Sequence, residues 1–84
     1  MSWMLRIKIL GEDKPKSFEV AEDDKRLVTL YGAGEPQEYA NTVEKVGEQI
    51  WKKVLENGAY MGTVEGRGII IPAEKILEIE VSRE

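Results

Sequence analysis

The chain has 84 residues, 42% of them hydrophobic and 33% charged, a formal net charge of −4, and neither Cys nor His. Such a composition belongs to one small globular domain, 1–84, and excludes a disordered chain, a thiolate or zinc-thiolate site, a redox pair and any side chain that titrates naturally near neutral pH. The acidic balance also disfavours general nucleic-acid binding, which needs a basic face to displace phosphate counterions.

Over residues 4–10, Leu5, Ile7 and Ile9 alternate with Arg6 and Lys8, the period of a half-buried strand. Gly11-Glu12-Asp13-Lys14-Pro15 is a turn, and Lys16 to Val20 alternates again with Phe18 and Val20 inward, so the two form a hairpin. Ala21 to Lys25 is a polar turn, Arg26 to Tyr31 a third strand, and Gly32 to Ala40 a loop. A helix follows. Asn41 is its expected N-cap, with Glu44 three residues on. Val43, Val46, Ile50 and Val54 form its apolar stripe, widened by Trp51 and Leu55, and Asn57-Gly58 stops it. Gly47 inside this helix costs roughly 1 kcal/mol against Ala, so close packing against the sheet or a second subunit is expected there.

Tyr60 to Val64 and Ile69 to Ile71 read as strands joined by Glu65-Gly66-Arg67-Gly68. Pro72 to Lys75 is a tight turn or a single helical turn, and Leu77-Glu78-Ile79-Glu80-Val81 alternates as a last strand. The order β-β-β-α-β-β-β gives an α+β fold, a mainly antiparallel sheet with one amphipathic helix packed on it. The first strand turns Arg6 and Lys8 outward and the last turns Glu78 and Glu80 outward, so these two strands are expected to be neighbours.

The stretch TVEGRGIIIP, residues 63–72, admits two accounts. Gly66 and Gly68 let a ligand approach the backbone while Arg67 clamps a phosphate or carboxylate, or the glycines serve a hairpin that needs positive φ. The loop matches no phosphate motif, so the turn explains the glycines, and Arg67 stays the first choice for a contact residue. Gly32-Ala33-Gly34 fails as a dinucleotide loop because the third glycine position holds Gln37. A flexible loop ending at Tyr39 is expected, one that closes over a ligand or partner. Core packing is the default account of Trp3 and Trp51, and whichever is exposed marks a contact surface. Glu12-Asp13 and Glu22-Asp23-Asp24 lack calcium-loop spacing and read as solvated turns. No hydroxyl has an adjacent base to activate it, so no enzyme, metal or cofactor is expected.

Short strands, one helix and the ending Ile-Ile-Ile-Pro-Ala-Glu-Lys-Ile-Leu-Glu-Ile-Glu-Val resemble, in size and pattern, the small accessory proteins of phages and mobile elements. That resemblance implies a stoichiometric binder or inhibitor of a host protein or a nucleotide signal. Two functions are therefore expected of a non-enzymatic binding protein. In one, a face carrying Trp3 or Trp51 docks on a protein partner. In the other, loops of two subunits enclose a small anionic ligand such as a nucleotide, with Arg67 supplying charge and Tyr39 or Tyr60 stacking. A domain this small, without disulfides, commonly gains stability by self-association, and a homodimer is expected. The first ten residues carry charges inside their apolar run and do not read as a signal peptide, and no stretch approaches the ~20 apolar residues of a membrane span, so a cytoplasmic location without membrane contact is expected.

Overall fold

A computed structural model of the chain describes residues 2–29 and 38–83. Strand β1, Ser2–Ile9, buries Trp3, Leu5, Ile7 and Ile9 and turns Arg6 and Lys8 to solvent. Alternation of this kind suits a strand with one face on a core. Strand β2, Lys16–Ala21, pairs with it antiparallel and sets Phe18 opposite Leu5 and Val20 opposite Trp3.

Residues Lys25–Leu27 form a short 3₁₀ turn, and only Val28–Thr29, β3, is extended. The third strand expected over 26–31 therefore begins two residues later, at Val28, and positions 30 and 31 fall outside the described residues. The backbone bends because the Asp24 carboxylate accepts a hydrogen bond from the Arg26 N–H at 2.8 Å, closing a turn that competes with the strand. Within the expected loop, Glu38–Tyr39, β4, pairs antiparallel with β3.

Helix α1 spans Val43–Asn57. Its N-cap is Thr42 rather than Asn41, with the Thr42 hydroxyl accepting from the Lys45 N–H at 3.2 Å. Gly58 ends it at a φ of 73°, the left-handed conformation in which glycine carries no steric cost. Strands β5, Ala59–Val64, and β6, Arg67–Pro72, then form a hairpin. Its two-residue turn has positive φ at both Glu65 (51°) and Gly66 (77°), the geometry that matches strand twist. After a 3₁₀ turn at Ala73–Lys75, strand β7, Ile76–Arg83, returns to pair antiparallel with β1.

The main sheet runs β2-β1-β7, with β3-β4 and β5-β6 as separate two-stranded ladders. Arg6 lies opposite Glu80 and Lys8 opposite Glu78, the latter pair 3.3 Å apart, so the charge pattern located the β1–β7 neighbours correctly. An exposed pair of this kind is worth at most about 1 kcal/mol and fixes register more than stability. Alternation in β7 breaks at Leu77. A register shift between Lys8 and Ile9 brings Ile76 opposite Ile9 and leaves Leu77 exposed.

The core lies between the sheet and α1, where Val46, Ile50 and Val54 are fully buried with Leu27, Tyr60 and Ile71. A β-carbon at Gly47 would meet Val81 Cγ2 at 3.6 Å, an ordinary contact, so packing against the sheet does not require glycine there. Gly62 differs. A β-carbon there would lie 2.7 Å from Tyr60 Cε2 and 2.9 Å from Phe18 Cδ1, in a place filled by two buried rings. Gly62→Ala is expected to lower unfolding stability by about 1–3 kcal/mol through overpacking. Gly68→Ala, whose added carbon meets nothing within 4 Å, should leave the urea midpoint almost unchanged.

Candidate functional site

Helix α1 presents two apolar rows rather than one broad stripe. Val46, Ile50 and Val54 face the core. Val43, Gly47, Trp51 and Leu55 are each four residues from the next, and Gly47 and Trp51 of this row border β7. Residues four apart stack on one side of a helix, so these form a continuous ridge. Val43 is 38% exposed, Trp51 42% and Leu55 61%, and Leu77 on the neighbouring strand is 62% exposed. Gly47, Trp51, Ile76, Leu77, Glu78 and Ile79 line a hollow of about 300 Å³ between helix and strand. The edge of β7 away from β1 has no strand partner among the described residues. Val43 was expected in the buried stripe. It is the first residue of the helix, at the end where the core no longer covers it.

The remaining candidate residues separate. Arg67 stands at the start of β6 and shares a hollow of about 280 Å³ with Lys16, Ser17, Val64, Glu65 and Ile69. Gly66 serves the hairpin turn, whereas Gly68 sits within β6 without a positive φ. Lys16 Nζ is 3.5 Å from a Glu12 carboxylate oxygen, and Glu65 also lines the hollow, so its two cations are largely balanced. Neither Tyr39 nor Tyr60 belongs to it. Tyr39 is exposed and lines another hollow with Trp3, Glu22, Ala40, Asn41 and Arg83. Trp3 is buried, with the Arg83 guanidinium 5.0 Å from its ring centroid and its Nε1 without a hydrogen-bond partner among the described residues. Of the two tryptophans, Trp51 is therefore the exposed one. The Gly32-Ala33-Gly34 segment lies outside the described residues.

Tyr60 is a core residue. Its ring lies 4.8 Å from that of Phe18, centroid to centroid, and the Arg26 guanidinium stands 5.4 Å from its centre. Arg26 donates to both oxygens of Asp24, each at 3.0 Å, and to the Met61 carbonyl at 3.0 Å. Asp24 thus ties the turn after β2 to β5 and is no solvated turn residue. An acid two positions before an arginine, at the start of a turn, was the signal available in the sequence. Partial burial drives the Asp24 carboxyl upward, but side-chain and backbone hydrogen bonds from Arg26, with its charge, outweigh this and hold it below its ordinary 3.8. The hydrogen bonds to Asp24 push Arg26 upward in turn. Burial pushes the Tyr60 hydroxyl up, with Arg26 pulling partly back.

Among the described residues no group of His, Cys, Asp and Glu could hold a metal ion, and no helix is long and apolar enough to cross a membrane. Comparison with protein-family models, curated proteins and solved structures finds no match to this chain.

Because Asp24 is held below its ordinary value in the fold, its contribution to stability is present above the unfolded value near 3.8 and is lost as pH falls through the lower folded value. Asp24→Asn is expected to cost about 1–2 kcal/mol at pH 7 by urea unfolding. The variant should also lose less stability than wild type on acidification below that value.

Proposed function

We propose that this protein acts by occupancy, binding a protein partner stoichiometrically through the α1 ridge of Val43, Gly47, Trp51 and Leu55 with Leu77 beside it. The observation that carries this is Trp51, a large side chain left 42% exposed in the middle of an apolar ridge. Tryptophan is among the residues that most often dominate binding energy at protein contacts. Contiguous apolar surface rimmed by charge, here Glu44, Glu48 and Lys52, is the usual form of such a site.

The Arg67 hollow favours a second reading, a site for a small anionic ligand such as a nucleotide, with Arg67 and Lys16 at its rim. It is the weaker of the two, since among the described residues no aromatic side chain lines that hollow, and Glu65 opposes the charge. A ligand there would raise the melting temperature by binding the native state, and Arg67→Ala would abolish the rise.

For the leading function, Trp51→Ala is expected to weaken partner binding by at least about 2 kcal/mol. Because more than half of the side chain is covered by the fold, the truncation should also cost about 1–2 kcal/mol of unfolding stability without unfolding the domain. A photo-crosslinking residue at position 51 should capture a partner where the same residue at Ile70, exposed on the β5–β6 hairpin, does not. Equal capture at both positions would refute the assignment.

A further inference from the structure

We infer that the partner seated on the α1 ridge is a second copy of this chain, docked with its helix antiparallel. The inference rests on the ridge being a docking face, and three observations favour this occupant over another. First, the ridge is complementary to itself. The midpoint between Gly47 and Trp51 is also the midpoint between Val43 and Leu55, at the level of Gln49. A two-fold axis there places Trp51 of one copy over Gly47 of the other, and Leu55 over Val43, large against small at every step. Second, Gly47 meets no steric demand among the described residues, where the nearest atom to an added β-carbon is Val81 Cγ2 at 3.6 Å. The hollow of about 300 Å³ that Gly47 shares with Trp51 gives the residue a purpose, which is to admit an indole.

Third, the charges nearest the axis match. Glu48 and Lys52 lie on the exposed side of the ridge, and the same axis sets Glu48 of each copy beside Lys52 of the other. Glu56, which comes near Glu44 of the second copy, is 3.3 Å from its own Lys53. Pairing through the open edge of β7 is the competing way to join two copies. It gathers Glu78 and Glu80 of both chains on one face, and like charges across strands oppose it. The helices, not the strand edges, make the contact. An isologous patch of this sort closes as a dimer and does not propagate.

The ridge is small beside the roughly 800 Å² that each partner contributes to a standard interface, so a dissociation constant on the order of 10 μM is expected. Sedimentation of the intact protein should show a mass rising from 9.5 kDa toward twice that value across this concentration range. Trp51→Ser should leave a monomer. Gly47→Gln should also leave a monomer while melting no lower than wild type, because it fills the hollow yet improves helix propensity. Glu48→Lys should weaken the dimer several-fold, and Glu48→Lys with Lys52→Glu should restore it. A wild-type protein that stays at a single chain mass about tenfold above the expected constant overturns the inference. So does a dimer indifferent to Gly47→Gln. If the protein is monomeric and a crosslinker at position 51 captures a different protein, the second copy is ruled out and the docking face stands. If it captures neither, both fall.

Discussion

Three small antiparallel ladders share no strand pairing with one another among the described residues, so side-chain packing, together with the short links between them, sets how they meet. The tightest of these meetings is at Gly62 in β5, where the rings of Phe18 from β2 and Tyr60 close over the backbone. With no β-carbon in the way, the hairpin can lie against the main sheet. From that contact follow the burial of Tyr60, the stacking of Arg26 on it and the tether from Asp24 through Arg26 to the Met61 carbonyl. Helix α1 then beds its 46-50-54 row on the surface so formed. A core of this size covers one row of the helix and leaves its neighbour at the boundary.

Much of the fold was legible in the chain. The alternation of β1 and β2, the Asn57-Gly58 stop and the opposite charges on β1 and β7 each rest on local chemistry that no distant contact overrules. The errors arose where tertiary context decides. A hydroxyl one residue further on took the cap from Asn41, which moved the start of the helix by a residue. The Asp24–Arg26 contact folded into a turn what hydropathy reads as a strand. A bulge opposite Ile9 displaced Leu77 from the face that a period of two assigns to it.

The candidate site was legible as a list of residues but not as an arrangement. Trp51 was named as a contact residue conditional on exposure, and its place at the edge of the sheet meets that condition. The row at spacing four, 43-47-51-55, was present in the sequence yet merged with the buried row, because only the sheet's position separates them. Tyr60 and Trp3 carry the same side-chain chemistry as a stacking site, and burial removes both from any surface. Gly62, the glycine with a steric requirement, gave no local sign. Gly47, conspicuous in a helix, has none among the described residues.

Strand β7 adds one consequence of its own. It is eight residues long, carries Ile76, Leu77, Ile79 and Val81, and has no strand neighbour on one side among the described residues. Such a segment is the kind that seeds fibrils when copies stack edge to edge. Glu78 and Glu80 interrupt it at alternate positions and act as gatekeepers, keeping the exposed ladder from recruiting identical ladders. The two carboxylates that helped place this strand beside β1 thus also protect the colloidal life of the molecule.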